Sequence, residues 1–154
     1  MMLSLMLAWL MPGGAPGALP AMEVPVHTGE RVQLADWRGE PVIVTFWATW
    51  CGACREELAV LGRLSRRSGW KGQILAVAVD SEGWKTVLPF LRQQGYQFPV
   101  TLLTPRIRKA FEVPPEVSPL PRTIVYGRDG REVGRFREAV SDAELMRKLA
   151  PPGR

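Results

Sequence analysis

The run PVIVTFWATW (residues 41–50) constrains this chain more than any other segment. It is almost continuously apolar, β-branched or aromatic, the pattern of a strand buried on both faces rather than on one. Such a strand needs helices or further structure packed on each side of it. It leads directly into CGACREEL (51–58), so both cysteines of the chain, Cys51 and Cys54, stand where this strand ends and a helix begins.

Other segments supply the rest of an α/β fold. MEVPVHTGERVQLADW (22–37) alternates and turns at HTGE, as a short β-hairpin does. A helix is expected from the cysteines to about Arg67. GQILAVAVD (72–80) reads as a second buried strand, and SEGWKTVLPFLRQQG (81–95) as a helix capped by Ser81, closed by Gly95 and kinked at Pro89. FPVTLLT (98–104) is a short extended piece, and PRIRKAFEV (105–113) is a short helix with Pro105 in its first turn. RTIVYGRDGREVGRF (122–136) gives two strands around a turn, and SDAELMRKLA (141–150) a last capped helix. Strands and helices alternate early and a hairpin ends the sheet, so the central sheet is expected to be mixed. A length of 154 residues fits one domain, and no linker or internal repeat divides it.

The start of the chain differs in kind. MMLSLMLAWLM carries no charge over eleven residues, too few for a bilayer core, which takes about 20. With the small residues of PGGAPGALPA behind it, residues 1–17 read as an export signal or the remnant of a membrane anchor, with cleavage placed after Ala15 or Gly17. The basic start usual in such signals is missing, since the first Lys or Arg is Arg31. Residues 18–150 form the expected domain and 151–154 a tail. The formal charge of +5 comes from scattered basic positions, among them Arg63, Arg66 and Arg67. A solvated basic face accounts for them, with an anionic membrane surface or an acidic partner as the rival. No nucleic-acid motif accompanies the charge, so nucleic-acid binding is not expected.

Four chemistries compete for Cys51 and Cys54. A structural disulfide closing so short a loop contributes only about 2 kcal/mol by chain entropy. Structural zinc takes four ligands, and His27, the single histidine, sits in the expected hairpin turn as an exposed residue. Two thiolates alone suit Cu(I). Inert core thiols fit poorly at a strand-to-helix junction. Redox exchange fits best: a thiol at a helix N-terminus meets free N–H groups and the positive end of the helix dipole, both of which favour the thiolate. Cys51 would then attack a partner disulfide, and Cys54, one turn on, would resolve the mixed disulfide.

A single acid breaks the apolar face of that helix. At 100° per residue Leu58 and Leu61 fall within about 40° of Cys54, and Glu57 within about 60°, on the same side. Either Glu57 reaches water at the edge of the stripe, or it is buried beneath Cys54. A desolvated carboxyl has a raised pKa and would accept the Cys54 proton.

FWATWCGACREEL, following a buried strand, resembles the thioredoxin-fold thiol–disulfide reductases of the TlpA and ResA type, which are exported and tethered to membranes. The resemblance covers about residues 20–150 and is most specific at Trp50, Cys51, Cys54, Arg55 and Glu57. It implies a thioredoxin fold with a mixed central sheet, an N-terminal β-hairpin and an inserted βα element at residues 69–95. It implies a buried acid at Glu57. In VSPLPRT, Val117, Pro121 and Thr123 match the family's cis-proline signal, with Pro119 where the family has glycine. Pro121 is thus the cis-proline facing the cysteines, and the backbone of Leu120 pairs with a bound client chain. Trp50 is expected at the same surface; Trp47 and Trp50 flank the site, and core packing is their simplest role.

What the resemblance implies about activity is reduction of client disulfides: haem-attachment CxxCH motifs of apocytochrome c, or the cysteines of a copper-site protein. A membrane thiol donor would re-reduce the pair, a membrane tether is possible, and the setting would be the periplasm or the outer membrane face. No organic cofactor and no metal are implied. A disulfide-donating oxidant and a Cu(I) chaperone are the competing functions. The chain departs from the family at Ala53 and Ala59, where proline is usual, and at VPPE (113–116), a small insertion beside the cis-proline loop.

Overall fold

The computed structural model describes residues 17–150. All but the last residue of the expected export segment 1–17, and the whole tail 151–154, lie outside the described residues.

The expected buried strand is β3 (Val42–Trp47), and all six of its residues are buried. It is the middle of a five-stranded sheet with β4 (Gln73–Ala78), β5 (Val100–Leu102), β6 (Arg122–Tyr126) and β7 (Glu132–Phe136), in the order β5-β4-β3-β6-β7. β4 runs parallel to β3 and β5 parallel to β4, whereas β6 and β7 are antiparallel, so the sheet is mixed as expected. The segment marked as inserted supplies β4, an inner strand paired along all six residues of β3, and α2 (Trp84–Gln94). The entry hairpin, β1 (Glu23–Pro25) and β2 (Arg31–Gln33), forms a separate two-stranded sheet.

Because side chains alternate across a strand, β3 serves two cores. Ile43 and Trp47 face α1 (Gly52–Ser65), α2 and α4 (Asp142–Leu149), meeting Leu58, Leu61, Leu64, Val87 and Leu145. Val42, Val44 and Phe46 face the other way, onto Leu34, Ile107 of α3 (Pro105–Ala110) and Phe111. Phe46 and Phe111 meet edge to face, with ring centroids 5.9 Å apart. This explains the missing polar alternation in 41–50: neither face of the strand sees water.

Two local expectations need correction. Ser81 does not cap α2. Gly83 is the N-cap, at φ 55° and ψ −133°, a conformation that L side chains rarely adopt. His27 is not a free turn residue: its Nδ1 accepts from the Val100 amide at 3.2 Å while its own amide donates to the Val100 carbonyl at 2.8 Å. The hairpin is thereby tied to edge strand β5, and burial lowers the His27 pKa. Other ends follow the sequence: Gly95 closes α2 in the left-handed region, Thr104 caps α3 with Pro105 behind it, and Ser141 and Glu144 make a capping box on α4.

Candidate active site

At the C-terminal end of β3 the chain turns through Ala48, Thr49 and Trp50, and α1 begins at Gly52 with Cys51 as its N-cap. The cap is made by sulfur, because Cys51 Sγ accepts the amide N–H of Cys54 at 3.2 Å. An N-terminal N–H that would otherwise lack a partner is thus directed at the first cysteine, beside the positive end of the helix. Both features stabilise negative charge on Cys51 when it is a free thiol. The two cysteines are joined as a disulfide, with Cα atoms 5.2 Å apart. Cys54 is fully buried and Cys51 is 9% exposed, so Cys51 is less accessible than its place at the junction suggested.

Neighbouring residues divide sharply by exposure. Trp47 lies wholly in the core against Phe90, 5.3 Å between centroids. Trp50 is 71% exposed, so core packing does not account for it. It stands in water immediately before Cys51 in the chain. The loop carrying Trp50 is held from β4: the Asp80 carboxylate accepts from the Thr49 amide at 3.2 Å and from the Thr49 hydroxyl.

Pro121 is buried and Leu120 half-buried, and the peptide bond between them is cis; Ser118–Pro119 is cis as well. Leu120 packs against both hydrophobic cores. The insertion leading into this loop is gripped through its carbonyls. Arg108 donates to the carbonyls of Pro114 and Pro115, Arg135 to that of Phe111 at 3.3 Å, and Arg122 to that of Ser118 at 2.9 Å. The four prolines at 114, 115, 119 and 121 have no N–H to donate, so side chains supply the bonds that a proline-rich loop cannot make internally.

Glu57 is buried, 1% exposed, so it does not reach water at the edge of the apolar stripe. Its Oε1 lies 2.8 Å from the Thr45 hydroxyl and 2.6 Å from the Thr123 hydroxyl, and its Oε2 accepts the Val140 amide at 2.9 Å. Desolvation raises its pKa, against the opposing pull of these three hydrogen bonds. The carboxyl therefore keeps a proton to higher pH than an exposed glutamate does.

Sequence reasoning did not find Thr45, the Val140 amide, Thr49 or Asp80, and it named Thr123 only within the cis-proline signal, not as a partner of Glu57. One signal was visible: Thr45 is the polar residue within the apolar run PVIVTFW. The others depend on strand register. Thr45 and Thr123 are direct partners across β3 and β6, and Asp80 lies just beyond the end of β4. Among the described residues no group of three or more His, Cys, Asp or Glu converges as a metal site would require.

Residues 17–131 match the model of the AhpC/TSA family. Thiol-disulfide oxidoreductase ResA of Bacillus subtilis (strain 168) is 35% identical over 107 residues, 68% of this chain and 57% of that protein. ResA of Bacillus thuringiensis subsp. konkukian is 29% identical over 129 residues, 80% of this chain and 71% of that protein. The crystal structure of a thiol:disulfide interchange protein of the thioredoxin family from Chlorobium tepidum TLS superposes with a TM-score of 0.77 at 25% identity, covering 89% of this chain and 96% of that one. The chain spans little more than half the length of the first of these relatives.

Proposed function

This chain belongs to the AhpC/TSA family, and from that premise we propose that it is a thiol–disulfide oxidoreductase that reduces disulfides of client proteins outside the cytoplasm. One observation carries the reading: Cys51 sits at the N-terminus of α1 with the Cys54 amide directed at its sulfur, beside an exposed Trp50. A structural staple has no use for either feature.

The exchange runs in two displacements. The Cys51 thiolate attacks one sulfur of the client disulfide, forming a mixed disulfide and releasing the other client sulfur as thiolate. Cys54 passes its proton to the Glu57 carboxylate. The resulting thiolate attacks Cys51, closing the Cys51–Cys54 disulfide and releasing the second client thiolate. Two electrons pass from the cysteine pair to the client, and a thiol donor of the membrane returns them. Leu120, preceding Pro121, offers backbone to the client as an added strand would, and Trp50 covers it. The expected clients are apocytochrome c haem-attachment cysteines or those of a copper-site protein.

Support for a place outside the cytoplasm comes from the apolar residues 1–11 and the TlpA/ResA resemblance. No helix among the described residues is long and apolar enough to cross a membrane. Fusion of a reporter active only after export, behind the full chain, tests the location: a silent fusion would contradict it.

The activity is tested by the reduction potential of the couple, from equilibration with glutathione or dithiothreitol while tryptophan emission is followed. A value of about −240 mV or below fits a reductant, and about −120 mV would identify an oxidant. Absence of a reversible couple would leave Cu(I) binding as the function of the pair.

A further inference from the structure

The buried oxygens around Glu57 contain one contact too many for a single hydrogen-bond pattern. Glu57 Oε1, Thr45 Oγ1 and Thr123 Oγ1 form a triangle with sides of 2.8, 2.6 and 3.0 Å. Each hydroxyl owns one proton and can donate once. If both threonines donate to Oε1, the 3.0 Å contact between them carries no proton.

We propose that Thr45 and Thr123 form with Glu57 a reversible three-oxygen circuit that keeps every buried donor and acceptor paired whether the carboxyl is charged or neutral. With Glu57 ionised, both hydroxyls donate to Oε1 and the contact between threonines is idle. With Glu57 protonated on Oε1, the new O–H donates to Thr123, Thr123 donates to Thr45, and Thr45 donates back to Oε1. Only the hydroxyl rotors turn. The Val140 amide stays on Oε2 in both states, which leaves Oε1 as the oxygen that takes the proton. A buried carboxyl that serves only as an anchor needs one such pattern, whereas this one is provided with two. An unpaired buried polar group is costly, so a network that can rewire avoids that cost when the proton arrives and again when it leaves.

Other ionisable groups do not take over this role. β3 contributes none, and α1 contributes Cys54 on the same face. On α4, Asp142 is bound to Arg67 and Glu144 to Ser141. On the neighbouring strands, Arg122 of β6 donates to the Ser118 carbonyl and Arg135 of β7 pairs with Glu132. The threonines are thus positioning residues for the Glu57 proton, and the inference rests on Glu57 serving Cys54.

The decisive experiment follows the Glu57 side-chain carboxyl by carbon NMR against pH in the oxidised protein, where the cysteines do not titrate. Thr45→Val and Thr123→Val keep a β-branched side chain of similar shape and remove one donor. Each hydroxyl bonds the carboxyl in both states but more strongly when it is charged, so its loss should raise the carboxyl titration by about one pH unit, a tenfold change in proton affinity. Thr45→Ser, which restores a hydroxyl, should return it to the wild-type value. Folded Val variants that titrate like wild type would overturn the circuit, whatever their stability. The reading beneath it is tested separately, by the rate at which Cys54 releases glutathione from a mixed disulfide at Cys51. If Glu57→Gln leaves the pH profile of that release unchanged, Glu57 does not serve Cys54. A displaced carboxyl titration in the Val variants would still support the circuit.

Discussion

The Asp80 carboxylate at the end of β4 holds Thr49 twice, through its amide and through its hydroxyl, two residues before Cys51. This joins the loop that presents the cysteine pair to the strand beside β3, so the position of Trp50 and Cys51 depends on a residue 29 or more positions away in sequence. Asp80→Ala leaves the half-buried Thr49 donors without their acceptor. It should cost about 1–3 kcal/mol, read as a lower urea midpoint with an unchanged slope. The reduction potential of the pair should move as well, because the loop is no longer held in one place. A potential and a midpoint equal to wild type would show that the clasp does not position the site.

The two cysteines should behave differently when removed one at a time. Cys54→Ser leaves Cys51 with its helix-terminal amide but without the resolving thiol, so client disulfides should accumulate as a stable adduct at Cys51. Cys51→Ser should give no adduct and no activity. Electrophoresis without reductant after mixing each variant with an oxidised CxxCH peptide distinguishes them. An adduct on Cys54 in the Cys51→Ser variant would reverse the assignment.

The tryptophans on either side of the turn should separate function from stability. Trp47 is wholly buried against Phe90, and Trp47→Ala should cost about 3–5 kcal/mol. Trp50 is 71% exposed, so Trp50→Ala should change stability by less than about 0.5 kcal/mol and slow capture of a client disulfide. Denaturant midpoints and stopped-flow rates on the same pair of variants check both halves. Normal capture by Trp50→Ala would remove it from the client surface.

Much of this arrangement was legible in sequence because it is local. A buried strand running into a helix places Cys51 at the helix end, and the period of α1 places Glu57 among its apolar residues. What stayed hidden depends on register between distant segments. Thr45 meets Thr123 only because β6 pairs antiparallel with β3 in one frame; a one-residue slip would turn one of them to the opposite face. His27 read as a free turn residue because its partner, Val100, lies on an edge strand 73 residues later. The arginine grip on the insertion was equally unreadable, since carbonyl acceptors leave no trace in side-chain identity.

That grip makes its own prediction. Arg108 is half-buried and donates to the Pro114 and Pro115 carbonyls, so Arg108→Ala should cost global stability only about 0.5–1.5 kcal/mol. Its effect should appear locally, as faster proteolytic cleavage within 111–118 and weaker capture of clients that pair with Leu120. Cleavage and capture rates equal to wild type would show that Arg135 and Arg122 hold the loop without it.

The Glu57 titration also sets how stability varies with pH. Burial raises its folded-state pKa above the ordinary 4.5, so the folded state holds its proton longer than the unfolded chain does. Between those two values the unfolded chain has fewer protons bound, and stability falls as pH rises. The favourable contribution is fully present below the unfolded value and is lost as pH passes through the folded one. Each pH unit between the two titrations is worth about 1.4 kcal/mol. Glu57→Gln cannot ionise, so the stability difference between variant and wild type should shift in favour of the variant as pH rises through this window, and level off above it. Denaturant unfolding of both proteins, oxidised, across that range measures the difference. Parallel stability curves would mean that Glu57 titrates alike in the folded and unfolded chain, contrary to its burial.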